Sequence, residues 1–314
     1  MSQSSKIAFV YPGQGSQYPG MGKTVWDAFP EAREVFEQAD AALPMSITEL
    51  CFTGDEEALR LTENTQPAIL TVSAALHRVL AERGLRPDWV AGHSLGEYSA
   101  LVAAGVLDVG SAVALVHSRG RYMQEAVPEG EGSMAAILGL DDEKMAGICN
   151  AGSDGAVVEV ANLNAPGQVV IAGHRSAVEA AVAAAQEAGA RRAIMLNVSA
   201  PFHCSLMQPA ADRLAPDLAA ATFADPSIPV VSNVDATAVT SGDAARDALR
   251  RQVTSPVRWT ETLRFLAAQG VDVFVEVGPG RVLSGLVRRT LGRDVAIYSV
   301  DEREELDAVV QALE

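Results

Sequence analysis

Short apolar runs alternate along the chain with longer stretches in which apolar positions recur every three or four residues. This rhythm predicts strands alternating with helices, the signature of an α/β fold. Lys6 to Tyr11 reads as a buried strand. Thr65 to Arg83 reads as a long amphipathic helix, with Pro67 in its first turn and Gly84 at its end. Trp89 to Gly92 is a short strand running into a turn and a helix from about Leu95 to Ala104. A further helix is expected over Gly110 to Gln124.

The rhythm changes near Pro128. Ser133 to Leu138 reads as a strand, Asp141 to Asn150 as a helix, and Val157 to Ala161 and Gln168 to Ala172 as two strands. Between those two strands lies a turn-rich link, Asn162-Leu163-Asn164-Ala165-Pro166-Gly167. A helix over Ser176 to Ala188 and a strand over Arg192 to Leu196 complete a β-α-β-β-α-β order, the ferredoxin-like unit. The α/β rhythm then resumes, with a helix from Ser205 and strands near Pro229 to Ser232, Val271 to Val275 and Val295 to Val300. A last helix is expected near Glu302 to Leu313. The chain is therefore read as a larger α/β core, residues 1–127 and 197–314, split by a ferredoxin-like subdomain at 128–196. A cleft between two such parts is a usual place for a small-molecule site.

Composition narrows the function. Of 314 residues, 48% are apolar and 20% charged, close to a globular average, which argues against disorder. The chain carries 40 acidic against 24 basic residues, a net charge of −16. Neither nucleic acid nor an anionic membrane binds such a surface without a local basic stripe, so neither is expected as the main partner. No stretch reaches the roughly 18 apolar residues of a membrane span. Met1 to Lys6 runs straight into a strand-like segment, so no signal peptide is expected. Cys51, Cys149 and Cys204 are odd in number and far apart, which suits a reducing cytoplasm rather than a disulfide framework.

Gly92-His93-Ser94-Leu95-Gly96 fits G-x-S-x-G, the nucleophile elbow. The chemistry needs a serine on a sharp strand-to-helix turn, and the two glycines relieve the crowding there. The pattern alone is weak, and the plain alternative is a serine N-cap whose glycines serve only the turn. The preceding strand and following helix strengthen the catalytic reading. A serine hydroxyl also needs a base. His77 and His117 lie within helical patterns, and His93 adjoins Ser94 on a turn where neighbours point apart. His174 starts a helix in the insert. His203 lies in the loop Ser199 to Cys204, where the chain re-enters the core, and is the favoured base. Cys204 is rejected as a nucleophile paired with its own neighbour, because adjacent side chains rarely meet at hydrogen-bonding distance. No two histidines have metal-ligand spacing, so no zinc site is expected. Pro12 to Gln17 lacks the Gly-Lys-Ser/Thr ending of a phosphate loop and the third glycine of a dinucleotide fingerprint. Its place after the first strand suits either a tight turn or a loop supplying a second oxyanion-hole N–H.

Together these residues resemble the malonyl-CoA:acyl carrier protein transacylase family of bacterial fatty acid synthesis. The matching stretches include Gly13 to Gln17, Thr65 to Ala68, Gly92 to Ser99, Ser118-Arg119-Gly120 with Met123-Gln124, and Gly132 to Ala136. Further along come Ala161-Asn162, Pro166 to Gln168, Ser199 to Cys204, Pro256 to Trp259 and Glu276 to Gly280. The resemblance covers nearly the whole chain and implies an α/β-hydrolase-like core with a parallel sheet and an inserted ferredoxin-like subdomain. It implies Ser94 as the acylated nucleophile, His203 as its base, and the backbone carbonyl of Gln252 as the group orienting His203. The N–H groups of Gln14 and Leu95 would form the oxyanion hole. Arg119 would hold the malonyl carboxylate, which its planar fork matches. Asn162 would line the site, and Phe202 would limit the acyl side chain. The substrates implied are malonyl-CoA and phosphopantetheinylated acyl carrier protein. No cofactor or metal is expected, and the enzyme is expected to be a cytoplasmic monomer. The alternatives are a serine thioesterase or esterase, a non-catalytic binding module, and a free-standing acyltransferase for polyketide synthesis.

The charge raises one conflict. Acyl carrier proteins are strongly acidic too, so docking needs a local basic patch. Arg191-Arg192 and Arg250-Arg251 are the pairs expected to flank the cleft, and Arg288-Arg289 is expected to point elsewhere.

Overall fold

The computed structural model describes residues 5–151, 155–198 and 200–313. Met1 to Ser4 and Ser199, singled out above, lie outside the described residues. The strands are β1 (Lys6–Tyr11), β2 (Trp89–Gly92), β3 (Gly132–Leu138), β4 (Val158–Ala165) and β5 (Gln168–His174). They continue with β6 (Arg192–Met195), β7 (Val230–Val231), β8 (Ala238–Val239), β9 (Val271–Val277) and β10 (Ala296–Val300).

Six of them form one sheet in the order β10-β9-β1-β2-β7-β8. Pairing is parallel from β10 through β7, and only β8 runs antiparallel. Ala8 to Tyr11 of the inner strand β1 are all buried, as expected of a parallel strand covered on both faces. The other four strands form a separate, wholly antiparallel sheet in the order β4-β5-β3-β6. That order is the one a β-α-β-β-α-β unit adopts when its two helices cover one face. The molecule is thus a mixed α/β fold with a mainly parallel sheet and a second, antiparallel one.

Three local readings differ from the pattern. The long central helix is Thr62–Glu82, so Pro67 sits in its second turn. The carbonyl of Leu61 accepts from the N–H groups of Asn64 and Thr65 at 2.9 and 2.8 Å, which starts the helix upstream. Pro67 then costs one ladder bond without ending the helix. Second, the expected link Asn162 to Gly167 shrinks to a two-residue turn at Pro166-Gly167, and β4 runs on to Ala165. Two register shifts let the polar segment stay paired with β5, and Gly167 takes the positive φ of 70° that the turn needs. Third, the helix expected from Ser205 opens as a 3-10 turn, Ser205–Met207, before Gln208–Ala220. Residues 23–60, left unassigned by the pattern, hold the helices Lys23–Ala28, Pro30–Ala42, Ile47–Thr53 and Glu56–Arg60.

The antiparallel sheet is laced to the larger part of the molecule. The N–H of Leu163 on β4 donates to the carbonyl of Val257, and the N–H of Val257 donates to Ala161, both at 2.9 Å. Val257 belongs to the segment that enters the helix Trp259–Ala268. This pair of bonds holds β4 against the segment that leads into that helix, and the cavity described next lies beside it.

Candidate active site

Strand β2 ends at Gly92 and a helix, Gly96–Ala103, begins four residues later. The turn between them admits no Cβ at either glycine. One added to Gly92 would lie 1.8 Å from the carbonyl oxygen of Gly96, and one added to Gly96 would lie 2.1 Å from that of Tyr11. Ser94 at the apex has φ of 53°, the left-handed region that a side chain enters only when its surroundings hold it there. Asn233, just past β7, supplies that hold. Its Oδ1 accepts from the Ser94 N–H at 2.7 Å, and its Nδ2 donates to the Gly92 carbonyl at 2.6 Å.

His203 also has a positive φ, 60°, and is buried. Its Nε2 lies 2.7 Å from Ser94 Oγ, and its Nδ1 lies 2.9 Å from the backbone carbonyl of Gln252. A carbonyl can only accept, so Nδ1 carries the proton and the Nε2 lone pair faces the serine hydroxyl. Burial, reinforced by the nearby Arg119 charge, lowers the pKa of His203 to about 3. The other histidines are engaged elsewhere or lie apart. His93 bonds Asn164 Oδ1 at 2.7 Å, His77 bonds the Tyr11 hydroxyl at 2.8 Å, and His174 Nδ1 accepts from the Val157 N–H at 2.9 Å. His117 is half-buried on the helix Val109–Glu125. The thiol of Cys204 is buried and donates to the Pro201 carbonyl.

Arg119, on the helix Val109–Glu125, is 1% exposed. It donates to Gln66 Oε1 at 2.7 Å, to Gln252 Oε1 at 3.0 Å and to Ser94 Oγ at 3.2 Å. All three acceptors are neutral, and Nε has no partner. A buried cation whose direct partners are amides and a hydroxyl is suited to taking an anion, since desolvating a charge without a directly paired counter-charge is costly.

A cavity of about 240 Å³ is lined by Gln14, Ser94, Arg119, Asn162, Phe202 and His203 among others. The glycine loop presses against the elbow: a Cβ on Gly13 would lie 2.5 Å from the His93 carbonyl oxygen. Gln14 thereby reaches the cavity wall, and Leu95 heads the helix that follows Ser94. The structure thus brings Ser94, His203, Gln252, Arg119, Gln14, Asn162 and Phe202 to one place.

Three members of the site were not singled out by pattern. Gln66 and Glu97 stand inside motifs quoted above, where a buried polar residue among apolar neighbours is the available signal. Asn233 follows a parallel strand, and the carboxyl ends of such strands are where ligand-binding groups gather. Glu97 is 1% exposed, and burial pushes its carboxyl up to about 7. Among the described residues, no group of three or more His, Cys, Asp or Glu side chains could hold a metal ion. None of the described helices is long and apolar enough to cross a membrane.

A serine on an elbow, a neutral imidazole at its hydroxyl and a buried guanidinium beside it form a constellation suited to carrying an acyl group. The acyl transferase domain family matches residues 8–307, and the chain belongs to that family. Its relatives include the malonyl CoA-acyl carrier protein transacylase of Escherichia coli (strain K12), 52% identical over 311 residues that cover 99% of both chains. The structure of the malonyl CoA-acyl carrier protein transacylase from Coxiella burnetii superposes with a TM-score of 0.96 at 44% identity, covering 99% of this chain and 98% of that one. A type II PKS acyl-carrier protein in complex with its malonyl-transacylase matches with a TM-score of 0.95 at 48% identity, covering 98% and 100%.

Proposed function

We propose that this chain transfers a malonyl group from malonyl-CoA to the phosphopantetheine thiol of acyl carrier protein, through a malonyl ester on Ser94, in cytoplasmic fatty acid biosynthesis. The observation that carries this reading is Arg119, buried with no carboxylate among its hydrogen-bond partners and 3.2 Å from Ser94 Oγ. A plain esterase has no use for a cation there, whereas a carboxylate-bearing acyl group does.

Malonyl-CoA binds with its free carboxylate on Arg119. His203 Nε2 takes the hydroxyl proton as Ser94 Oγ attacks the thioester carbonyl, and the N–H groups of Gln14 and Leu95 face the developing oxyanion. The C–S bond breaks, and His203 returns the proton to the departing CoA sulfur. The carrier thiol then repeats the sequence in reverse and regenerates Ser94. Thioester–ester exchange is close to isoenergetic, so the reaction as written calls on no metal, redox group or ATP. Asn162 and Phe202 shape the acyl pocket, and the ester survives because water is kept from it until the thiol arrives. The unit that does this is read as a monomer, a core at 1–127 and 197–314 with its small subdomain at 128–196.

The PKS carrier complex among the structural relatives supports a second setting, polyketide assembly, in which the same chemistry serves a different carrier. Brief incubation with malonyl-CoA followed by intact-mass measurement tests the reading. A malonyl adduct on Ser94, discharged by phosphopantetheinylated carrier protein, is the expected result. Rapid loss of the adduct to water instead would assign a thioesterase.

A further inference from the structure

Glu97 is a buried carboxylate that the mechanism above does not use, yet it sits at the centre of the site's hydrogen bonds. Gln252 Nε2 donates to Glu97 Oε2 at 2.6 Å and to the Ser94 carbonyl at 2.9 Å, while Gln252 Oε1 accepts from Arg119 at 3.0 Å. Glu97 Oε2 also accepts from the N–H of Asn233 at 3.2 Å, the residue that holds the elbow. A carbonyl accepts and a guanidinium donates, so one orientation of the Gln252 amide satisfies every neighbour. With its NH2 on the carboxylate, its oxygen must face Arg119.

The carboxyl group of Glu97 and the guanidinium of Arg119 are thus joined through one amide rather than in direct contact. A direct pair would compensate the guanidinium but would also occupy the face that a substrate carboxylate needs. The interposed amide lies with its oxygen on the guanidinium and its NH2 on the carboxyl group. It therefore holds Arg119 by a hydrogen bond while leaving it open toward Ser94. The same residue's backbone carbonyl is the partner of His203 Nδ1, so fixing the Gln252 side chain also fixes the group that orients the base.

We propose that Glu97 is a positioning residue of the acyl-transfer site, acting through the Gln252 side chain to hold Arg119 in place and open for a carboxylate-bearing acyl group. This deepens the function proposed above and rests on it.

The test uses Glu97→Asp and Glu97→Gln, alone and with Gln252→Leu, which keeps the backbone carbonyl but removes the amide. KM and kcat are measured for malonyl-CoA and acetyl-CoA in the acylation half-reaction, with thermal unfolding to check folding. Aspartate keeps the charge but withdraws the acceptor by ~1.5 Å, one C–C bond. Glutamine keeps the acceptor at full reach and removes the charge. Glu97→Asp should raise the malonyl KM about tenfold while changing the acetyl KM less than about twofold, and it should add nothing in the Gln252→Leu background. Glu97→Gln should keep the malonyl-over-acetyl ratio within about threefold of the parent. The reverse ranking of the two variants, equal rises in KM for both acyl groups, or full additivity with Gln252→Leu would each overturn the proposal. The parent protein is run alongside. If it forms no malonyl-Ser94 adduct, the functional reading fails first and independently.

Discussion

His203 turns its Nδ1 to the backbone carbonyl of Gln252 at 2.9 Å, where a Ser-His-Asp arrangement would place a carboxylate. The carbonyl fixes the tautomer and the ring plane. It carries no charge, so it stabilises the imidazolium less than an aspartate would. Ser94 and His203 should therefore behave as one unit whose strength comes from geometry. Ser94→Ala should abolish the malonyl adduct. His203→Ala should slow acylation by several orders of magnitude, on the order of 10³-fold or more, as for other coupled nucleophile–base pairs. A malonyl label taken up by Ser94→Ala would show that the nucleophile lies elsewhere.

The low basicity of His203 has a consequence for pH. An exposed histidine would lose its lone pair to a proton near pH 6.5, but burial and Arg119 lower this one to about 3. Acylation should stay flat as pH falls through 6.5 toward about 4.5. Stability should follow the same group. Its folded value lies below its unfolded one, so the unfolded chain binds the extra proton between about 6.5 and 3, and the folded state loses ground as pH falls through that window. Glu97 acts in the opposite sense. Its value rises from 4.5 to about 7 on folding, so its contribution is fully present below 4.5 and is lost as pH rises through 7. The two oppose each other between about 4.5 and 6.5, and below that only His203 remains. His203→Asn should therefore lose less stability than the parent between pH 4.5 and 3.5, measured by denaturant unfolding. A half-maximal acylation rate near pH 6.5 would mean that the base is an ordinary exposed histidine.

Arg119→Ala should remove malonyl transfer and spare acetyl transfer. The lost contact is to a carboxylate that acetyl lacks, and truncating one partner of a desolvated charge pair costs on the order of 2–5 kcal/mol. Comparing kcat/KM for the two acyl-CoA substrates checks this. Equal losses would make Arg119 a structural group.

The carrier protein should be met by the edge of the antiparallel sheet. Of the two arginine pairs expected at the cleft, Arg250 and Arg251 are tied up with Asp247, and Arg251 is also held by Asp235 at 2.7 Å. Arg191 and Arg192 are exposed on and beside the outer strand β6, next to the exposed Ile194 and Met195. Arg192 shares a strand face with Ile194, and exposed arginines at a sheet edge suit a small acidic partner felt within a Debye length of about 8 Å. Reversing both charges should raise KM for the carrier about tenfold and leave acylation by malonyl-CoA unchanged. The two half-reactions are measured separately, and a fall in both together would rule this surface out.

The elbow was legible in the sequence because glycine has no substitute where a Cβ would meet a carbonyl at 1.8 Å. His203 was legible by elimination and by its place in a re-entrant loop. Arg119 was legible only through its motif, since one arginine on a helix looks like any solvated charge. The network behind them was not. Gln252 meets Glu97 across 155 residues, and Asn233 meets Ser94 across 139, so no local spacing records either pair. Asn162 to Ala165 was misread for a related reason. Polar residues in a strand suggest a turn until the strand is seen to pair with Val257 on one side and β5 on the other.

The lacing of Leu163 and Ala161 to Val257 bears on which acyl groups the cavity admits. One wall comes from the antiparallel sheet and the rest from helices and loops of the larger part, so a longer or branched chain could be housed by letting the two parts slide apart. The paired 2.9 Å bonds resist that slide, and they do so five residues from Gln252. Widening the pocket would therefore disturb the carbonyl beneath His203 as well. Under the proposed function, a bulky acyl group that forced its way in would dull the base it needs, and large acyl groups would then be penalised at the chemical step.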